Sequence, residues 1–329
     1  MDWTQVEPGA FAGNLSTLRL GSVRVFRDRF NVGSQRRGNL SPGDLFFGTL
    51  ASTSTRARWF GMPVTADDIA VGHRSIDARA IGSGAFFSIV IDRASLGDVF
   101  PNGEPCLIRN ATHAATMRGF LRALFALTDA APAMLRGASM RRDIERALLN
   151  LLRAAGTSRK VAPGTSFGNR FQAVRVCEAY MREHIDESVS LQDLSDLCGF
   201  RPRSLINAFE AFTGLSPMAY LKAQRLDGVR QTLLSTVRND TRIIDIAMEW
   251  GFDHMGHFAA DYRTMFGERP SETPRANPAT VRGSVPAHAR GRRHGDEATA
   301  LRSREALEDL VLRFSERGER PPSGTIGRA

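Results

Sequence analysis

Hydrophobic and polar positions change period along this chain, and the changes divide it. Up to about residue 105 the apolar residues come in short β-type runs: Leu18-Arg19-Leu20, Ser22-Val23-Arg24-Val25-Phe26, Asp44-Leu45-Phe46-Phe47 and Phe86-Phe87-Ser88-Ile89-Val90-Ile91. Gly21, Gly33, Pro42-Gly43, Gly61, Gly72 and Gly82 separate them. Runs of this kind at about ten-residue spacing predict a small β-barrel or sandwich. From Thr112 to Asp129 and from Ala133 to Ala155 the period becomes helical, with Met117, Phe120, Leu121, Leu124 and Phe125 on one stripe and Ile144, Leu148, Leu151 and Leu152 on another. Residues 156–169, rich in Gly, Ser, Thr and Pro, read as a linker between a unit spanning 1–155 and a second unit that begins at about residue 170.

The second unit is one pattern written twice. Asp193-Leu194-Ser195, Gly199-Phe200, Phe209, Gly214 and Pro217 recur as Asp245-Ile246-Ala247, Gly251-Phe252, Tyr262, Gly267 and Pro270. The offset is 52 at Gly199/Gly251 and 53 at Gly214/Gly267, so the second copy carries one extra residue after its Gly-Phe turn. Each copy has the pattern of a helix-turn-helix, over 190–212 and 243–266. Ser190 and Asp193 form a capping-box start, Gly199 stops the first helix, Pro202 suits the first turn of the second, and Gly214 ends it. Between the copies, Ser216 and Pro217 open a connecting helix with Tyr220, Leu221, Leu226, Val229 and Leu233 at helical spacing. A helix of about 18 residues is about 27 Å long, which sets two reading heads about one DNA turn apart.

The order Ser190-Leu191, Asp193-Leu194, Gly199-Phe200, Arg203, Leu205, Phe209, Gly214, Ser216-Pro217, Tyr220-Leu221, Arg225-Leu226, Ile246-Ala247, Gly251-Phe252, His257-Phe258, Phe266-Gly267, Pro270-Ser271 resembles the AraC/XylS class of bacterial transcription regulators, over residues 170–273. The resemblance implies an α+β chain: an N-terminal cupin-like barrel with its helical pair, then an all-α double helix-turn-helix. Trp59-Phe60-Gly61-Met62-Pro63 and Asp67 to Gly72 are similar to the ethanolamine-operon type of this class. It further implies base-facing Arg203, Ile206 and Asn207 in the first head and Gly256, His257 and Ala260 in the second, with Arg263 toward phosphate. Arg201, Ser204 and His254 complete the expected DNA-binding set. Arg203 suits a bidentate grip on guanine and Asn207 one on adenine; the second head offers few donors beyond its histidines. Thr273 stands where the class usually closes the last layer with an aromatic, so that end is expected to be looser.

The implied partners are double-stranded promoter DNA, RNA polymerase, a small-molecule effector and a second copy, the helical pair being the usual dimer contact of the class; packing of that pair on its own barrel is the competing expectation. Phe46, Phe47, Trp59, Phe60, Phe86 and Phe87 are the candidate effector walls, although any one of them taken singly reads more readily as barrel core. Activation is the sign the resemblance favours.

Charge qualifies this picture. The formal net charge of +9 is carried outside the duplicated unit: residues 170–273 hold 12 basic and 15 acidic side chains. Binding must therefore come from local placement of Arg201, Arg203, Lys222, Arg225, Arg263 and Arg269, not from net charge. No apolar run is long enough to span a membrane and Met1-Asp2-Trp3 does not open like a signal peptide, so a cytoplasmic protein is expected. Cys106, Cys177 and Cys198 read as free thiols. No catalytic constellation, cofactor or metal is expected. His73 and His113, 40 residues apart, do not supply the His-x-His of a cupin metal centre, and Pro105-Cys106-Leu107 lacks the His of a repair methyltransferase. The alternative reading is a cupin-like barrel enzyme or ligand-binding protein with an accessory DNA-binding module. Residues 274–329 are expected to be largely disordered, with an amphipathic helix over 296–317.

Overall fold

The computed structural model describes residues 2–100, 103–161, 165–236 and 241–274. The expectations for the tail, including the helix over 296–317, fall outside the described residues apart from Pro274.

The chain begins with strands β1 (Asp2–Gln5), β2 (Gly13–Leu20), β3 (Val23–Phe30), β4 (Ser34–Asn39), β5 (Asp44–Leu50), β6 (Arg56–Trp59), β7 (Met62–Val64), β8 (Asp68–Gly72), β9 (Ser75–Ile81), β10 (Gly84–Asp92) and β11 (Cys106–Arg109). Helices α1 (Ala111–Ala130) and α2 (Ala138–Gly156) follow, then β12 (Lys160–Val161), which pairs with β11 inside the stretch expected to be linker. All pairings are antiparallel. They form two sheets, β1-β4-β9-β6-β7 and β12-β11-β8-β5-β10-β3-β2, and the barrel-or-sandwich expectation resolves as these two facing sheets.

Alternation along each strand builds two apolar layers. Val25, Phe47, Val71, Phe87 and Ile89 leave the seven-stranded sheet on the side of α1 and α2, where Met117, Phe120, Leu124, Ile144, Leu148 and Leu151 complete a buried cluster. Phe46, Ala70, Val90 and Leu107 leave the other side and meet Trp59, Met62 and Ile76 of the five-stranded sheet. The apolar stripes of α1 and α2 are thus spent on the chain's own sheet, and their inward faces hold no free dimer contact. The six candidate effector aromatics are likewise divided: Phe46, Trp59 and Phe86 lie on the inter-sheet side, Phe47 and Phe87 on the helix side, and Phe60 stands in the β6–β7 turn between Trp59 and Phe171 of the helical half. Strand alternation separates residues that are adjacent in sequence, and the inter-sheet cavity beside Arg36, Phe46, Trp59 and Phe86 is only about 20 Å³.

The second half is helical: α3 (Thr165–Glu183), α4 (Leu191–Cys198), α5 (Pro202–Thr213), α6 (Pro217–Ser235), α7 (Ile243–Glu249) and α8 (Met255–Phe266). Helices α3, α4 and α5 with the start of α6 close one core around Val174, Leu194, Leu205, Phe209 and Tyr220. The rest of α6 with α7 and α8 closes another around Leu226, Val229, Ile246, Phe258 and Tyr262. At 19 residues, α6 is about 28 Å long and belongs to both. The outer face of the five-stranded sheet, bearing Gln35, Arg37, Asp77 and Arg79, is covered by α3, α5 and α6, which bury Gln35, Asp77 and Arg79 and leave Arg37 partly buried.

Candidate nucleic-acid interface

The first head is set by its ends. Ser190 Oγ accepts from the Asp193 N–H at 3.2 Å and the Asp193 carboxylate accepts from the Ser190 N–H at 2.8 Å, which satisfies helix donors that have no partner of their own. Those bonds hold the Asp193 carboxyl below its ordinary range. Gly199 sits at φ 69°, a left-handed stop, and Gly251 takes the same role at φ 74°. After the turn, Pro202 starts α5, which buries Leu205, Ala208, Phe209 and Phe212. The opposite face is left to solvent: Arg201, Arg203, Ser204 and Asn207 are exposed and Ile206 is half-buried.

In the second head α8 buries Phe258, Tyr262, Met265 and Phe266, and presents His254, Gly256, His257, Ala260 and Arg263 to solvent. His254 and His257 lie with ring centroids 5.9 Å apart. Within this core α6 and the end of α7 meet closely at Gly228: a Cβ there would stand 2.2 Å from the Trp250 ring, whose Nε1–H donates to Thr232 Oγ1 at 3.1 Å. Beside α8, Ile243, Ile244, Met255, Ala259, Ala260 and Pro270 line an apolar groove of about 490 Å³.

The expected set therefore divides into two exposed helix faces, one on each core. Two other cations named for local placement do not join it freely. Arg225 turns inward and donates to three backbone carbonyls, Ile185 at 2.7 Å, Gly251 at 3.1 Å and Glu187 at 2.5 Å, and burial pulls its guanidinium below its ordinary value. It ties the end of α3 to the second turn. Lys222 is exposed but paired with Asp261 at 3.0 Å. The expected loose end is also corrected: Thr273 is buried, its hydroxyl 2.7 Å from Tyr262 OH and donating to Glu268 at 2.9 Å. A hydroxyl pair closes the layer that an aromatic closes elsewhere, and burial raises the Tyr262 phenol to about 12.

Sequence reasoning missed a polar seam between the sheets and the helices. Arg37 donates to Glu178 at 2.5 Å, to Tyr220 OH at 2.8 Å and to Asp77 at 3.1 Å, with Glu178 only 1% exposed. Burial raises the Glu178 carboxyl and Arg37 opposes that rise. One signal was available. Glu178 falls among Val174, Cys177 and Met181, an acid on the apolar stripe of α3, where a charge demands a partner.

Comparison with known proteins converges on the helical half. A family model described as a helix-turn-helix domain matches residues 194–276. Over 94 residues the chain is 40% identical to the XylDLEGF operon transcriptional activator 2 of Pseudomonas putida, a match covering 29% of this chain and 60% of that protein. It is 33% identical over 105 residues to a probable thc operon regulatory protein of Rhodococcus erythropolis, covering 32% of each. Among solved structures, a probable AraC family transcriptional regulator from Rhodopseudomonas palustris is 39% identical, with 31% of this chain and 94% of that one covered and a TM-score of 0.29. The matched stretch spans less than two thirds of the length of these curated relatives.

Proposed function

We propose that this chain, which carries an AraC/XylS-type helix-turn-helix unit, is a sequence-specific transcription regulator that reads promoter DNA with α5 and α8 in successive major grooves. One observation carries the reading: the same surface of both second helices, in two copies of one module, is exposed and bears groups suited to base edges and phosphates. In the first head Arg203 and Asn207 supply hydrogen-bonding specificity, with Arg201 and Ser204 toward the backbone and Ile206 toward a thymine methyl. In the second, His254 and His257 supply the donors, Gly256 and Ala260 permit close approach, and Arg263 neutralises phosphate. The relatives are activators by name, which favours activation here.

On this reading the protein works in the cytoplasm with RNA polymerase as a second partner. Its N-terminal sheets take the small organic effector, and a homodimer would use the outward faces of α1 and α2. No helix among the described residues is long and apolar enough to cross a membrane. The test is genome-wide crosslinking to DNA followed by footprinting of the best site with the full chain. Protection of two adjacent major-groove faces upstream of a promoter is expected; selection of no sequence would overturn the reading.

A further inference from the structure

We propose that Gln5 and Arg37 are positioning residues for DNA reading: the five-stranded sheet grips each head separately and so sets the spacing between the two recognition helices. The inference rests on the regulator reading of the two heads. The helices alone join the heads mainly through α6, and a single helix leaves bending and rotation between the two cores weakly resisted. A second connection turns that hinge into a closed frame.

The grip on the first head is the Arg37 guanidinium, whose three donors reach Asp77 on its own sheet, Glu178 on α3 and Tyr220 on α6. Arg175 stands 3.6 Å from both Asp77 and Glu178 and completes a four-charge cluster. Apolar contact reinforces it. Phe60, Phe171 and Phe212 stand in sequence with ring centroids 5.4 and 5.5 Å apart, running from sheet through α3 to α5, and a Cβ at Gly61 would lie 1.8 Å from the Phe212 ring.

The grip on the second head is Gln5, 6% exposed. Its side-chain amide donates to Met265 O at 2.7 Å, and the Gly9 N–H donates to the same carbonyl at 2.9 Å. Met265 lies in the last turn of α8, where carbonyls have no partner within the helix, so these donors fill a vacancy that the fold itself creates. Asp227 on α6 lies beside Gln5, its carboxyl pushed up to about 6 by burial and drawn back by the Gln5 backbone.

Both grips stand on one ladder. Asp2 pairs with Arg37 and Gln5 with Ser34, so the two anchor points are three residue pairs, about 10 Å, apart on adjacent hydrogen-bonded strands. A sheet resists stretching along its strands far better than a loop, and displacement of either grip moves the head it holds.

The full chain is tested on synthetic sites whose two half-sites are separated by the selected spacing and by one or two base pairs more or less. Two variants are compared with the parent: Gln5→Ala, and Arg37→Met with Glu178→Gln, which removes both buried charges together. The parent is expected to discriminate between spacings by about tenfold or more and each variant by less than about threefold, with helix content, melting temperature and affinity for an isolated half-site held. An unchanged spacing preference in folded variants would overturn the inference. A parent that selects no DNA would sink the regulator reading alone. Spin labels at Ser204→Cys and Ala260→Cys, with the native cysteines replaced, then decide the positioning: the inter-head distance distribution broadens in the variants if the sheet sets it, and stays as narrow as in the parent if it does not.

Discussion

The two heads share an architecture and differ in how they are finished. The first has a capping box at Ser190, a proline at the start of α5, and exposed Arg203 and Asn207. The second starts α7 at Arg242 and α8 at His254, neither with a side-chain cap bond, and offers Gly256, His257 and Ala260. It also leaves Ile244, in the wall of the apolar groove, 42% exposed, and Met248 59% exposed. A duplicated fold constrains the buried positions, where Phe209 and Tyr262 correspond, and leaves the surface free to diverge. On the proposed reading the first head reads chiefly by hydrogen bonds, and the second, with two histidines as its donors, leans more on shape and phosphate contact.

The sharpest break of this comparison is at the cores. Phe209→Ala and Phe258→Ala should each cost about 3–5 kcal/mol, because both rings are buried in their cores. Amide exchange should accelerate mainly in the head that is cut, measured residue by residue; equal acceleration in both would show that the heads unfold as one. Next, Arg203→Ala should cost about 1–3 kcal/mol and relax selection at one base pair, whereas His257→Ala should cost less. Binding to a panel of single-base variants separates the two, and a loss equal on every sequence would make Arg203 a phosphate contact.

The caps come third. Ser190→Ala should lower stability by about 1 kcal/mol, while Arg242→Ser, which writes Ser-x-x-Asp at the second head, should raise it by up to about that amount. The Arg242–Asp245 pair it removes is exposed and contributes little. Denaturant midpoints at constant slope report both. The smallest effect is a titration. Backbone and side-chain bonds from Ser190 hold the Asp193 carboxyl below its ordinary 3.8, and the Arg242 guanidinium does the same for Asp245. A depressed carboxyl contributes stability that is present above its unfolded value and lost as pH falls through the folded one, so the Ser190–Asp193 cap and the Arg242–Asp245 pair are intact at neutral pH and fail only below about 3.8. Added salt should move Asp245 back toward its ordinary value more than Asp193, as carboxyl carbon shifts in NMR would record.

The outward faces of α5 and α8 were legible in the chain because they depend on local rules. Glycine stops, Pro202, the Ser190 cap and i, i+3/i+4 apolar spacing place Arg203, Asn207 and His257 on outward faces without reference to any distant residue. Arg225 was not legible in that way. Its three acceptors are carbonyls around positions 185, 187 and 251, which become one site only after α3, α6 and the second turn pack. The candidate effector aromatics do not share one face, for a related reason. Phe46 and Phe47, or Phe86 and Phe87, are adjacent in sequence and opposite in the sheet, so adjacency along the chain does not describe a pocket.

The sequence by itself determined the duplicated helical unit, its turns and which side of each second helix faces outward, since these depend on contacts within one helix or one turn. Only the tertiary structure decided where the first hundred residues go: two sheets, one covered by α1 and α2 and the other pressed against both heads through Gln5 and Arg37. Strand pairing and the partners of buried charges are long-range choices, made by burial across the whole chain, and no local pattern encodes them.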